Sequence, residues 1–205
     1  MSFFQIDTLI FEAINQLSVS LDALNPLMRF LSKQAEYLFY LGIIIYWFAG
    51  GRENKKMVIV ALAAACIGFG AGEVLSHLFY RDRPFVAMEV HQLISHAANA
   101  SFPSNHSIGS FVIATAICLY RHKDGILWLP LASLIAFSRI WNGVHFPSDV
   151  VGGALIGVIS AILVHQLVRH WAFARKCTDA CLGLYDSLWS KAGLPRSQNQ
   201  SSRID

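Results

Sequence analysis

The stretch MVIVALAAACIGFGAGEVLSHLFY, Met57–Tyr80, decides the fold. It is apolar almost throughout, with Glu73 as its one carboxylate, and it reaches the ~20 residues that an α-helix needs to cross a bilayer. Inside a bilayer the backbone must satisfy its own hydrogen bonds, and no period-two alternation points to a barrel, so a membrane helix is expected. Further apolar stretches lie at about Tyr37–Gly50, Ser107–Tyr120, Ile126–Trp141 and Val150–Trp171. Tyr37–Gly50 and Ser107–Tyr120 are short for a span, so their helices are expected to extend into flanking polar residues.

Composition agrees. The 205 residues are 55% hydrophobic and only 14% charged, against roughly a quarter charged in soluble domains. A net charge of +3 without a basic stripe interleaved with aromatics excludes a nucleic-acid surface. Cys66 and Cys118 lie inside apolar runs and read as small hydrophobes. Cys177 and Cys181 share a helix face in the tail, and without CxxC pairs neither a zinc framework nor a disulfide scaffold is indicated. The N-terminus has no basic region or small-residue cleavage site of a signal peptide. The expected fold class is an all-α integral membrane helical bundle of about five or six transmembrane helices.

Three regions are expected. Residues 1–33 mix Phe3, Phe4, Ile6, Leu9, Ile10, Phe11 and Ile14 with Asp7, Glu12 and Asn15, which reads as an amphipathic helix at the interface, or else a sixth span. Residues 34–172 form the transmembrane core. Residues 173–205 form a cytoplasmic tail with a weakly amphipathic segment, Cys181–Trp189, and a disordered close at residues 197–202. Arg52, Lys55 and Lys56, then Arg121 and Lys123, then Arg169, Arg175 and Lys176 fall on one side of an odd number of spans, which should be cytoplasmic. Residues 81–106 and 139–149 then share the other face. Trp47, Trp128, Trp141 and Trp171 read as aromatic belts. The pairs Gly68/Gly72 and Gly153/Gly157 suit close helix packing, or reflect only how common glycine is in membrane helices.

The outer segments hold Arg81, Arg83, Ser104, Asn105, His106, Arg139, His145 and Asp149. Guanidinium forks match phosphate oxygens, although a lone arginine more often snorkels to lipid head groups. Pro84 fixes where Arg83 emerges. Ser104 precedes a helix start, where it caps, binds an anion, or both. His145 and Asp149 are four apart, so the carboxylate either orients the imidazole or merely caps the next helix. Two histidines with different partners suit a division of labour in which one attacks phosphorus and the other protonates the leaving oxygen. This chemistry needs no metal and no cofactor.

Three blocks carry a resemblance: Arg83-Pro84, Pro103-Ser104-Asn105-His106 and Ser138-Arg139-x5-His145-x3-Asp149. They resemble the type 2 phosphatidic acid phosphatase superfamily, whose pattern is Lys-x6-Arg-Pro, Pro-Ser-Gly-His and Ser-Arg-x5-His-x3-Asp. The wider wording is similar to the bacitracin-resistance (BcrC-type) undecaprenyl pyrophosphate phosphatases. The resemblance implies His145 as nucleophile, oriented by Asp149, with His106 as general acid. It also implies that Arg83, Ser104, Asn105 and Arg139 hold the phosphoryl group. Two positions depart from the pattern: Ser76 stands at the lysine, with Arg81 the candidate to supply its charge, and Asn105 stands at the glycine.

The implied activity is hydrolysis of a polyprenyl pyrophosphate at the non-cytoplasmic face of the plasma membrane, with the bilayer and the lipid substrate as partners. The alternatives are a phosphatidic acid or phosphatidylglycerophosphate phosphatase, or a non-catalytic transport or resistance component. His91 and His96 read as solvated loop residues, or else as contacts for a second phosphate. Glu73 reads as an intramembrane carboxylate pairing with His77 one turn along, and His165 as structural. Oligomeric state has no signal in the sequence.

Overall fold

The computed structural model describes residues 1–192, and residues 197–202 lie outside that range. Among the described residues the chain is helical, without strands. It runs α1 (Phe3–Ser20), a 3₁₀ turn (Asp22–Leu24), α2 (Asn25–Lys33), α3 (Glu36–Ala49), α4 (Arg52–Leu78), a single turn α5 (Pro84–Ala87), α6 (Asn105–Tyr120), α7 (His122–Trp141), α8 (Pro147–His170) and α9 (Ala172–Lys191). Each of the five apolar stretches is a helix. Three of them, α4, α7 and α8, are long and apolar enough to cross a membrane, while α3 and α6 are shorter apolar helices. The polar flanks lengthen α3 and α6 very little, because Gly50 and the Pro103-Ser104 cap stop them.

Helix α6 is the central post, packed against α4, α7 and α8. Val60, Ala64, Ile108, Val112 and Ala161 fill the seam between α4, α6 and α8. Phe39, Ile113, Ile117 and Ile135 anchor α3 and α7 to the opposite side. Glycine makes the α6–α8 crossing close. A Cβ on Gly153 would stand 2.5 Å from the Ser104 carbonyl oxygen, and one on Gly157 2.6 Å from that of Ile108. Glycine therefore serves packing here, and the contact locks the start of α6 beside the start of α8. Around this core Ile44, Phe48, Leu62, Leu155 and Ile159 point outward, as the bilayer requires.

The cation-rich segments meet at one end. Arg52 pairs with Asp179 of α9 at 3.0 Å, and Arg121 reaches Asn54 at 3.4 Å. In α9, Cys177 and Cys181 are exposed, while Thr178 and Leu182 are buried.

One expectation is corrected, at Trp141, and two others gain detail. Helix α1 is amphipathic in the reverse sense to a water-facing interfacial helix: Asp7, Asn15 and Ser18 are buried, and Phe3, Ile6, Leu9 and Ile10 are exposed. Its polar ridge binds groups on the core, and Phe3, Ile6, Leu9 and Ile10 face outward while Phe11 packs inward. Glu73 and His77 pair at 3.1 Å as expected, on the outward face of α4. Trp141 is no belt residue, because it is buried and donates its indole N–H to Asn25 at 2.8 Å.

Candidate active site

Helix α7 ends at Trp141, and Gly143 reverses the chain at φ +77°, a conformation that L side chains rarely adopt. Val144 donates back to the Arg139 carbonyl at 3.1 Å. Pro147 then opens α8, which leaves His145 in a connection too short to move freely. Asp149, in the first turn of α8, accepts the Phe146 N–H at 2.8 Å and so caps its own helix. The same Oδ2 accepts the Ser101 hydroxyl at 2.5 Å and stands 3.6 Å from His145 Nδ1. Capping and facing the imidazole are thus one arrangement. His145 is 2% exposed and Asp149 fully buried.

Arg83 precedes Pro84, and its guanidinium staples the 83–100 segment to the His145 connection. Nε donates to Asn99 at 3.0 Å, Nη2 to the Ala100 carbonyl at 3.1 Å, and Nη1 to the Val144 carbonyl and to His145 Nε2, both at 3.0 Å. With Nε2 accepting from Arg83, the imidazole proton is on Nδ1, facing Asp149. Arg139, 2% exposed, spends only Nη1, which donates to the Ser32 carbonyl at 3.0 Å and hydroxyl at 2.7 Å. Its Nε and Nη2 are buried without a partner in the protein. Arg81 lies on the far side of Asp149, 2.7 Å from Asp7 and 3.4 Å from Asp149 Oδ1. It stacks over the Phe146 ring at 3.7 Å.

The second motif joins from α6. Ser104 donates its N–H to the Asp149 carbonyl at 3.0 Å, while its hydroxyl, also buried, has no partner in the protein. Ser104 is the N-cap by position but makes no side-chain cap bond. That leaves the hydroxyl available to a ligand at the α6 N-terminus. His106 follows in the first turn, with Nε2 3.4 Å from Glu36 on α3. Asn105, exposed, lines a cavity of about 190 Å³ with Glu36, Tyr40, Phe69 and His106. His145, His96 and Arg139 lie within electrostatic reach of His106, so the two motif histidines are near neighbours.

Some members were not legible in the sequence. His96 is half-buried, its ring centroid 6.1 Å from that of His145, and its Nδ1–H donates to the Ala97 carbonyl at 3.1 Å. It is a neighbour of the site, not a solvated loop residue. His91 is tied to α1 through Ser18 at 2.6 Å. Glu36, Ser101, Ser32 and Asp7 carry no motif signal. At the lysine position, the Ser76 hydroxyl donates to the Glu73 carbonyl. His165 packs edge-on against Tyr120, in keeping with a structural role.

Electrostatics outside the spans follow from burial among cations. Burial is the main cause pushing the His145 imidazole down to about 4; Arg139 and Arg83 add to it, and the Asp149 contact opposes it. Burial also lowers Arg83 to about 10, where it remains cationic at neutral pH. His96 is lowered by burial and by Arg83 and Arg139, against its bond to Ala97. Burial thus favours the neutral form of the His145 imidazole, which has a carboxylate facing one nitrogen and a guanidinium on the other.

A helical membrane bundle with this buried His–Asp pair ringed by arginines and a serine defines a class, and the family model agrees. Residues 55–172 match the PAP2 superfamily, and the chain belongs to that family. It is 36% identical over 203 residues to the Bacitracin transport permease protein BcrC of Bacillus licheniformis, covering 98% of this chain and 97% of that protein. It is 32% identical over 191 residues to the Undecaprenyl-diphosphatase BcrC of Bacillus subtilis (strain 168), covering 93% and 97%. The crystal structure of Aquifex aeolicus LpxE superposes with a TM-score of 0.61 at 31% identity, covering 75% of this chain and 91% of that one.

Proposed function

We propose that this protein is an undecaprenyl-diphosphate phosphatase, which hydrolyses undecaprenyl pyrophosphate to undecaprenyl phosphate and inorganic phosphate through a phosphohistidine. This recycles the cell-wall lipid carrier and so opposes bacitracin. The observation that carries the reading is a set of buried donors, Ser104 Oγ with Arg139 Nε and Nη2, that have no partner within the protein. Leaving such groups unpaired costs about 1–3 kcal/mol each, more for a charge. A phosphoryl group answers that cost.

His145 Nε2 attacks the terminal phosphorus, and the bond from phosphorus to the bridging oxygen breaks. His106 gives its proton to that oxygen, and Asp149 steadies the imidazolium through Nδ1–H. Arg83, Arg139, Ser104 and Asn105 bind the equatorial oxygens, where charge builds in the transition state. A phosphoryl oxygen takes over the Arg83 Nη1 donor that rests on Nε2 at 3.0 Å. Water then attacks the phosphohistidine, His106 accepts its proton, and phosphate leaves. The polyprenyl phosphate departs on the His106 side, toward the cavity between α3, α4 and α6. Its isoprenoid tail remains among the apolar side chains.

The cation excess at the α9 end supports a cytoplasmic place for that end and, with it, a site on the outer face of the plasma membrane. One relative's name speaks of transport, but a transport role gives no reason for a histidine braced by Asp149 beside unpaired phosphate donors.

The test is phosphate release by the purified protein, with chelator present, from undecaprenyl pyrophosphate, phosphatidic acid and phosphatidylglycerophosphate. Turnover should be fastest on the pyrophosphate. Preference for either monophosphate would reassign the substrate, and no release from any of the three would refute the enzymatic reading.

A further inference from the structure

Helix α1 lies outside the residues that match the family, yet it delivers a buried carboxylate to the active site. Asp7 is 4% exposed. A buried carboxylate costs several kcal/mol unless charge and hydrogen bonds repay it. Asp7 is repaid by groups that flank Asp149. Its Oδ1 accepts the Ser148 N–H at 2.9 Å, its Oδ2 accepts the Ser148 hydroxyl at 2.6 Å, and Arg81 Nη1 is 2.7 Å from Oδ2. Asp7 thus caps α8 from another helix, through the residue immediately before Asp149.

The arginine is the link. Arg81 Nη1 sits between two carboxylates, 2.7 Å from Asp7 and 3.4 Å from Asp149. It also donates to Ser148 Oγ at 2.8 Å. Asp149 in turn faces His145 Nδ1 at 3.6 Å with its other oxygen. Asp7 draws the guanidinium toward α1 and so keeps Arg81 from capturing the carboxylate that His145 needs. The stacking of Arg81 over Phe146 fixes the plane in which this division occurs.

We propose that Asp7 is a positioning residue for the phosphatase reaction, acting through Arg81 and Ser148 to hold Asp149 for His145. This makes α1 a working part of the site in addition to a membrane-facing helix. The inference rests on the proposed phosphohistidine chemistry. The charged and titratable groups around His145 are Asp149 from α8, Arg139 from α7, His106 from α6, and Arg81, Arg83 and His96 from the preceding segment; Asp7 enters from α1. Removing the Asp7 charge, and letting Arg81 settle on Asp149, both disfavour the His145 imidazolium. The acid limb of kcat/KM should therefore move to lower pH.

The experiment compares full-length wild type, Asp7→Asn, Asp7→Glu, Arg81→Gln and the Asp7→Asn/Arg81→Gln double variant, assayed in micelles on undecaprenyl pyrophosphate across the pH range. Asp7→Asn should lower kcat roughly 10- to 100-fold, leave KM within about twofold, and shift the acid limb down. Asp7→Glu should recover part of kcat. In the Arg81→Gln background, Asp7→Asn should add little. Wild-type kcat with an unmoved acid limb in Asp7→Asn would overturn the proposal, as would an equal loss in both backgrounds. If Asp7→Asn does not fold, Ser148→Ala, which deletes one of the bonds to Asp7, should lower kcat several-fold with the same direction of pH shift, and an unchanged profile there overturns it. An inactive wild type would instead sink the functional reading. A normal wild type with a dead His145→Ala and an unaffected Asp7→Asn would sink this inference alone.

Discussion

The mouth of α6–α8 and the α1–α2 segment both bury polar groups, most of them paired in the segment and several unpaired at the mouth. In the segment, Asp7, Asn15, Ser18 and Asn25 each have partners on the core: Ser148 and Arg81, the His91 and Trp141 backbone, the His91 ring, and the Trp141 indole. At the mouth, Ser104 Oγ and two nitrogens of Arg139 are buried with none. Polar groups satisfied within the protein build and aim the structure, whereas the donors left unpaired beside the two motif histidines suit a ligand. The contrast separates residues that position from residues that bind, and it can be broken by mutation.

The largest effect belongs to His145→Ala. Without the nucleophile, phosphate release should fall by about 10⁴-fold or more with folding intact, as losses of catalytic-triad members do. Arg139→Gln comes next. It retains a donor for Ser32 but removes the charge and the fork aimed at the ligand, so kcat/KM should drop by about 10²- to 10³-fold. A loss confined to thermal stability would move Arg139 to the positioning set.

The pH dependence has a definite sign. The folded His145 is held near 4 by burial, below its ordinary 6.5. As pH falls through that window, the unfolded chain binds a proton that the native site refuses. Stability from this group is therefore complete above 6.5 and declines as pH falls toward 4. Titrating micellar unfolding midpoints should show that decline, and wild-type kcat/KM should show no acid limb from His145 near 6.5. An acid limb near 6.5 that His145→Ala removes in the residual rate would contradict this.

The smallest catalytic effect is expected at Asn15→Ala. Asn15 donates to the His91 and Trp141 carbonyls, both at 3.0 Å, and accepts the His91 N–H at 2.9 Å. Its loss should cost about 2 kcal/mol of stability, while kcat per folded molecule stays within about twofold. A large kcat loss would erase the distinction between Asn15 and Asp7.

What the sequence disclosed follows from range. His145 and Asp149 meet across one helix start, so their four-residue spacing is already geometry. Pro84 and Pro103 mark where Arg83 and Ser104 emerge, and the apolar runs delimit five helices to within a few residues. Asp7 meets Ser148 across 141 residues, and Ser32 meets Arg139 across 107. No local pattern encodes such contacts. The amphipathic pattern of α1 does not disclose that its polar residues face the core, because composition cannot say what each side of a helix meets. His96 carries no local signal of its place, which depends on how Arg83 folds the 83–100 segment against Val144.

The central claim is covalent, and trapping tests it most directly. Protein mixed with terminally radiolabelled undecaprenyl pyrophosphate and quenched in base within a turnover should carry acid-labile label on the peptide containing His145. His145→Ala should carry none. Label on another residue, or turnover in His145→Ala at the wild-type rate, would contradict the account.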